Sequence, residues 1–276
     1  MNSTTQTCIG VFDSGLGGLS ILREIQKQLP ETSFFYIADQ AHIPYGKKDL
    51  SEIREYAVAI TRFLVNAGSR LIVIACNTAS AAALKKLRRD FPSTLFVGME
   101  PALKPAAMNT RSGIVGVLAT PATFEADMFH SLLGRFAHNI QVLTNTAPGL
   151  VEAVEAGELD SPNTRAIIES GIKPMVDRGA DTIVLGCTHF PFVHSLIQDV
   201  AGAKVKVIDP APAIARRTAY LYKENHIGLS CQPGNTSSFA TSGDAREFRV
   251  MVEKLLGVDT DILQLHWREN DLVIEE

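Results

Sequence analysis

The chain has 276 residues, 46% hydrophobic and 20% charged, ordinary for a globular protein and long enough for one large or two small cores. Its formal net charge of −4 gives no basic field for nucleic acid or a membrane surface. The basic pairs Lys85-Lys86 and Arg88-Arg89 read as a solvated helix face.

Short apolar runs alternate with helical patterns along the chain. Strands are predicted at Cys8–Phe12, Phe34–Ala38, Leu71–Ala75, Leu95–Val97, Ile114–Leu118, Ile140–Leu143, Thr182–Leu185, Val205–Ile208 and Ser238–Thr241. Helices are predicted at Leu19–Gln28, Ser51–Asn66, Ala79–Arg89, Thr164–Arg178, Ile214–Glu224 and Ala245–Leu256. Strands apolar on both faces and separated by helices indicate parallel sheet, hence an α/β protein. The pattern also repeats. Cys8-Ile-Gly-Val-Phe-Asp-Ser14 resembles Ile114-Val-Gly-Val-Leu-Ala-Thr120, and each is followed by a later strand ending in Cys. We read two related α/β units, residues 1–99 with 210–276 and residues 100–209, divided by a linker near Met99–Met108 that holds Pro101 and Pro105.

Four cysteines are present, Cys8, Cys76, Cys187 and Cys231. No spacing among them matches a metal pattern, so neither zinc nor another metal is expected. Residues 1–7 lack a charged start and an apolar stretch, and no apolar run is long enough to span a bilayer. A cytoplasmic, reducing setting with free thiols is expected.

In open α/β sheets ligands bind beyond the carboxyl ends of the strands, and every motif of interest falls at such an end. Asp13-Ser14-Gly-Leu-Gly-Gly18 opens a helix and permits a tight turn and an anion near free amides. Its order is not the G-x-G-x-x-G of dinucleotide sites, and Asp13 alone also reads as a turn residue. Pro44-Tyr45-Gly46 is a turn signal, either a structural loop with a surface tyrosine or a Tyr45 hydroxyl and Gly46 amide closing on a small polar ligand. His42 reads as a loop residue. Cys76-Asn77-Thr78 puts a thiol at a helix start, where the reactive thiolate is favoured, beside neutral donors suited to a carboxylate. Thr120-Pro-Ala-Thr123 places hydroxyls where Ser14 stands in the first unit. Cys187-Thr188-His189 sets a thiol two residues from an imidazole, an arrangement that also suits nucleophilic catalysis. A single cysteine ending an apolar strand is ordinary core. Two of them, 111 positions apart and each flanked by threonine, indicate a shared chemical task. Cys8 and Cys231 lack such neighbours and read as incidental.

Together, Asp13–Gly18, Pro44–Gly46, Cys76-Asn-Thr-Ala-Ser80, Thr120–Thr123 and Leu185-Gly-Cys-Thr-His189 resemble the glutamate racemases of the cofactor-independent aspartate/glutamate racemase superfamily, in order and spacing over roughly residues 8–256. The resemblance implies two pseudo-symmetric domains, each a mostly parallel sheet flanked by helices, with the active site in the interdomain cleft. It implies that Cys76 acts on D-glutamate and Cys187 on L-glutamate, assisted by Asp13 and His189. It further implies substrate contacts from Ser14, Pro44, Tyr45, Gly46, Asn77, Thr78, Thr120, Thr123, Thr188 and His189, no cofactor, a homodimer and a product used in peptidoglycan synthesis. Family members often carry Cys-Pro and a second proline in the segment that here reads Ala147-Pro-Gly-Leu-Val-Glu-Ala-Val-Glu155. Glu155 matches the family's acid near the histidine, and Glu152 is a further carboxylate on the same short helix, so the partner of His189 is open between them. Some relatives have a long N-terminal extension linked to activation by a cell-wall precursor; no such activation is expected here. Aspartate racemases and decarboxylases of the superfamily are the rival enzymes, the decarboxylases disfavoured by the presence of both thiols. A two-domain ligand binder is the non-enzyme alternative, and it gives the paired cysteines no role.

Overall fold

The computed structural model describes residues 9–227 and 237–274, so Cys8 and Cys231 lie outside the described residues. In chain order the first elements are β1 (Ile9–Asp13), α1 (Leu19–Gln28), β2 (Phe34–Ala38), α2 (Leu50–Asn66), β3 (Leu71–Ile74), α3 (Asn77–Asp90) and β4 (Leu95–Gly98). There follow α4 (Leu103–Asn109), β5 (Ile114–Ala119), α5 (Pro121–Glu125), α6 (Asp127–Phe136), β6 (Gln141–Asn145), α7 (Leu150–Glu155), α8 (Pro162–Asp177), β7 (Thr182–Gly186), α9 (His194–Ala201) and β8 (Lys206–Ile208). The chain ends in α10 (Ala211–Glu224), β9 (Ser238–Thr241), α11 (Ala245–Leu256), β10 (Ile262–Arg268) and β11 (Asp271–Ile274). No described helix is long and apolar enough to cross a membrane.

The chain divides into two compact units, residues 1–99 with 211–276 and residues 100–210. The first holds a seven-stranded sheet in the order β11-β10-β9-β2-β1-β3-β4, parallel except for the β10–β11 hairpin. The second holds a fully parallel sheet in the order β6-β5-β7-β8. The run β2-β1-β3-β4 has the same connectivity as β6-β5-β7-β8, so the internal repeat is a topological one. In each, the first strand is central and its two successors lie on opposite sides of it.

Parallel strands covered on both faces need apolar residues at every position. In the second unit Ile183 and Leu185 of β7 join α7, α8 and α9 in one core, while Val184 with Val115 and Val117 joins α4 and α6 in another. Gly10 and Gly116 occupy matching places on β1 and β5, where a helix lies close on the strand. A Cβ on Gly10 would stand 2.9 Å from Leu64 of α2, and one on Gly116 would stand 2.5 Å from Ile183 and 2.8 Å from Met175 of α8.

Several sequence expectations shift. The stretch Met99–Met108 is not simply a linker, because Leu103–Asn109 forms α4, whose Leu103 and Ala106 pack under β5. Pro105 sits in its first turn, where a missing amide proton costs nothing. Helix α3 starts at Asn77 rather than Ala79, because Cys76 is its N-cap and the sulfur accepts the Ala79 amide. Helix α8 starts at Pro162, capped by the Ser161 hydroxyl. The β10–β11 hairpin is an element that the sequence pattern does not predict.

Two predictions follow from the packing. A Cβ on Gly186 would fall 2.9 Å from the Leu118 carbonyl and 2.8 Å from Ala119 Cβ, and backbone cannot step aside. Gly186→Ala should therefore cost about 1–3 kcal/mol, read as a lower midpoint in urea unfolding. Asp181 ties the 110–113 turn to β7, accepting from the Thr110 hydroxyl at 2.7 Å and the Arg111 and Ser112 amides at 2.6 and 2.8 Å. Burial pushes its pKa up, but Thr110, the two amides and Thr182 outweigh that and bring it down to about 2. Its stabilising contribution is thus present above the ordinary aspartate range and lost as pH falls toward 2. Asp181→Asn should flatten this part of the acid limb of the stability curve.

Candidate active site

Each unit carries its polar motifs at the carboxyl ends of its central strands. In the first unit the topology reverses between β1 and β3, and Asp13, Ser14 and Cys76 stand at those two strand ends. Asp13 is fully buried, and its Oδ2 accepts the Gly18 amide at 2.8 Å and the Gly15 amide at 3.3 Å. It therefore organises the turn into α1, and negative charge there meets the positive end of the helix. Gly18 is required for this approach, since a Cβ there would lie 2.7 Å from Asp13 Cβ and 2.8 Å from the Tyr36 hydroxyl. The Cys76 sulfur lies 3.9 Å from Ser14 Oγ and accepts the Ala79 amide at 3.4 Å. Cys76 and Ser14 are each about 5% exposed.

Asn77 and Thr78 are buried beside Cys76. Neither Oδ1 nor Nδ2 of Asn77 finds a hydrogen-bond partner among the described residues. A buried polar group left unsatisfied costs about 1–3 kcal/mol, so an amide with both ends orphaned points to a polar ligand supplying the missing partners.

After β2 the chain makes two short 3-10 turns, Gln40–His42 and Tyr45–Lys47, with a cis Ile43–Pro44 peptide. Tyr45 and Gly46 are buried, which excludes the surface-tyrosine reading. The Tyr45 hydroxyl donates to Asp39 Oδ2 at 2.6 Å. Burial, then the Asp39 charge and its hydrogen bond, with Cys76 and Asp13 contributing, hold the phenol pKa well above its usual value. Tyr45 is therefore a neutral donor at physiological pH. His42 stacks on Tyr56, ring centroids 3.8 Å apart.

In the second unit the topology reverses between β5 and β7. Thr120 follows β5 and caps α5: its Oγ1 accepts the Thr123 amide at 3.3 Å and lies 2.9 Å from Thr123 Oγ1. Both threonines are thus used locally as well as presented at the strand end. Cys187 and Thr188 follow β7 and are buried. Cys187 Sγ is 3.6 Å from His189 Nδ1, and His189 Nε2 is 2.6 Å from Glu155 Oε1. Glu155 ends α7, which is aimed by the turn before it: Asn145 Oδ1 accepts the Ala147 amide, and Ala147 and Gly149 take positive φ values of 41° and 90°. Glu152, one turn earlier, is exposed. Burial disfavours the His189 charge, yet the Cys187 sulfur and the Glu155 carboxylate outweigh it and raise the imidazole pKa well above normal. The thiol, imidazole and carboxylate form a line that holds a proton next to Cys187.

The sequence motifs did not reveal Asp39 as a carboxylate hub. The available signal was its position, since Asp39 follows β2 as Asp13 ends β1.

The match to known proteins agrees with this layout. Residues 9–218 fit the family described as Asp/Glu/Hydantoin racemase. A glutamate racemase of Roseiflexus sp. (strain RS-1) is 46% identical over 256 residues, covering 92% of this chain and 94% of that protein. The Escherichia coli glutamate racemase, solved with L-glutamate and the activator UDP-MurNAc-ala, superposes with a TM-score of 0.83 at 31% identity, covering 98% of this chain and 100% of that one. The Francisella tularensis glutamate racemase, solved with D-glutamate, gives 0.80 at 28% identity, covering 94% and 97%. The chain belongs to the Asp/Glu/hydantoin racemase family, within its glutamate racemases. It is a racemase, an isomerase by class.

The geometry of the imidazole makes a prediction independent of turnover. Glu155→Gln removes the charge at His189 Nε2, so the His189 pKa should fall, as followed by NMR titration of the ring. In the wild type the stability due to this pair should be complete below the ordinary histidine range and fade as pH rises through the elevated folded value. An unchanged ring titration in Glu155→Gln would show that Glu155 does not hold the proton.

Proposed function

We propose that the chain interconverts L- and D-glutamate without a cofactor, passing the α-proton between Cys76 and Cys187. The observation that carries this reading is the repeated placement of a buried cysteine at the switch point of each sheet, one beside Ser14 and one beside His189. The names of the relatives and the ligands of the solved ones support glutamate as substrate.

In one direction Cys76, as thiolate, takes the α-proton of D-glutamate, and Cys187, as thiol, delivers a proton to the opposite face to give L-glutamate. The reverse reaction starts with Cys187 as thiolate and ends with Cys76 deprotonated. A thiol, with a reference pKa of about 8.5, is poorly matched to a far weaker carbon acid. The carbanion therefore needs donors already in place around the carboxylate. Asn77, Thr78, Ser14 and the Gly46 amide, on the turn that follows Pro44 and is held by Tyr45, would supply them on one unit, and Thr120, Thr123 and Thr188 on the other. Asp13 assists Cys76. His189, held protonated by Glu155, assists Cys187.

In this reading each of the two units, residues 1–99 with 211–276 and residues 100–210, contributes one of the reacting thiols. It also assigns the chain to the cytoplasm, as a homodimer acting on a small molecule, and its D-glutamate to peptidoglycan synthesis. Neither nucleic acid nor membrane takes part.

Incubation of reduced protein in heavy water should exchange the α-hydrogen of both glutamate enantiomers, assayed beside aspartate. Cys76→Ser and Cys187→Ser should each lower racemisation by roughly 100- to 10,000-fold. Absence of exchange with either enantiomer would sink the racemase reading, and full activity in one single variant would rule out the two-base mechanism.

A further inference from the structure

Asp39 is fully buried, no lysine or arginine is bonded to its carboxylate among the described residues, and the proton transfers leave it unused. Its Oδ2 meets the Tyr45 hydroxyl at 2.6 Å and His42 Nδ1 at 2.9 Å, and its Oδ1 accepts the Ser242 hydroxyl and the Trp267 indole N–H, both at 2.7 Å. A carboxylate offers roughly four lone-pair sites, and four groups occupy them. They come from three places: the loop after β2, the residue after β9, and β10. Burying a charge is expensive unless it is fully hydrogen-bonded, so loss of one donor loosens the hold on the others.

Trp267 is the chain's one tryptophan. Besides its bond to Asp39, it sits edge-on to His42 at 4.8 Å and to Tyr56 at 5.4 Å, and His42 stacks flat on Tyr56. Its strand pairs with β11, whose Asp271 forms an ion pair with Arg62 of α2. The hairpin lies beyond residues 9–218, the part that fits the family.

We propose that Trp267, on the C-terminal hairpin, is a positioning residue that sets the Tyr45–Gly46 turn through the Asp39 carboxylate. The effect on turnover rests on the substrate role given to that turn above; the mechanical link does not. Two measurements separate them. Hydrogen exchange of peptides covering residues 40–48 should speed up about tenfold in Trp267→Phe, which keeps the aromatic packing but lacks the indole donor, while peptides from α8 stay unchanged. In racemisation assays Trp267→Phe should raise KM for glutamate about five- to tenfold with kcat within about twofold, a part of the effect of losing one hydrogen bond to a charged group, because Trp267 acts on the turn through Asp39. Asp39→Ala should do the same more strongly. Asp39→Asn should recover most of the loss, because its carbonyl oxygen still accepts from Ser242 and Trp267 and its amide can donate to the Tyr45 oxygen. Wild-type exchange over residues 40–48 in Trp267→Phe would overturn the proposal, as would an unchanged KM in Trp267→Phe and Asp39→Ala with wild-type melting. A wild type that racemises no glutamate would instead overturn the functional reading, with the exchange data still deciding the link.

Discussion

Divergence of the chain at a central parallel strand is the constraint on which both units depend. From β1 the chain reaches β2 on one side and β3 on the other, and from β5 it reaches β6 and β7 in the same way. Connections that leave in opposite directions keep the carboxyl ends between them uncovered, so polar turn residues there can face a ligand without breaking the sheet. Close packing holds the arrangement: Gly10 and Gly116 admit a helix against the central strand, and Gly186 brings β7 onto β5 just before Cys187. The strand ends can present thiols and hydroxyls because small residues behind them let apolar layers close.

On that shared frame the two cysteines have different surroundings. Cys76 caps a helix, its sulfur 3.9 Å from Ser14 Oγ and accepting the Ala79 amide at 3.4 Å. Cys187 stands against an imidazole whose far nitrogen meets a carboxylate at 2.6 Å. An imidazole flanked by sulfur and carboxylate keeps its proton well above its ordinary range, while a helix cap favours negative charge without supplying a proton. The proposed two-base reaction calls for the two thiols to start each turnover in opposite protonation states, and unequal neighbours are a means of holding them so. The buried, unsatisfied amide of Asn77 is the complementary feature: its cost is one that a carboxylate or ammonium of a ligand would offset.

Much of the fold could be read from local pattern. Runs such as Leu71–Ile74 and Thr182–Gly186 are almost wholly apolar and buried at every position because both faces of a parallel strand are covered, and turn residues mark where they end. Two helix starts were each misplaced by two residues because a side-chain cap was the deciding group, the Cys76 sulfur for α3 and the Ser161 hydroxyl for α8. Helix α4 was hidden by Pro105 within it and Pro101 just before it, and the β10–β11 hairpin by a half-exposed, mixed pattern. The family resemblance pointed to Glu155, but local pattern did not separate it from Glu152, since both lie on α7 and only the packing of that helix brings one carboxylate to His189.

Residue identity alone determined the alternation of strands and helices, the internal repeat, and the two cysteines at matching strand ends, because each depends on neighbours a few positions away. Tertiary structure decided the strand order that makes those ends switch points, the Cys187–His189–Glu155 line, and the convergence of Tyr45, His42, Ser242 and Trp267 on Asp39. These groups are separated by up to 228 positions along the chain. Only the burial of one carboxylate, which needs every donor within reach, brings them into a single cluster.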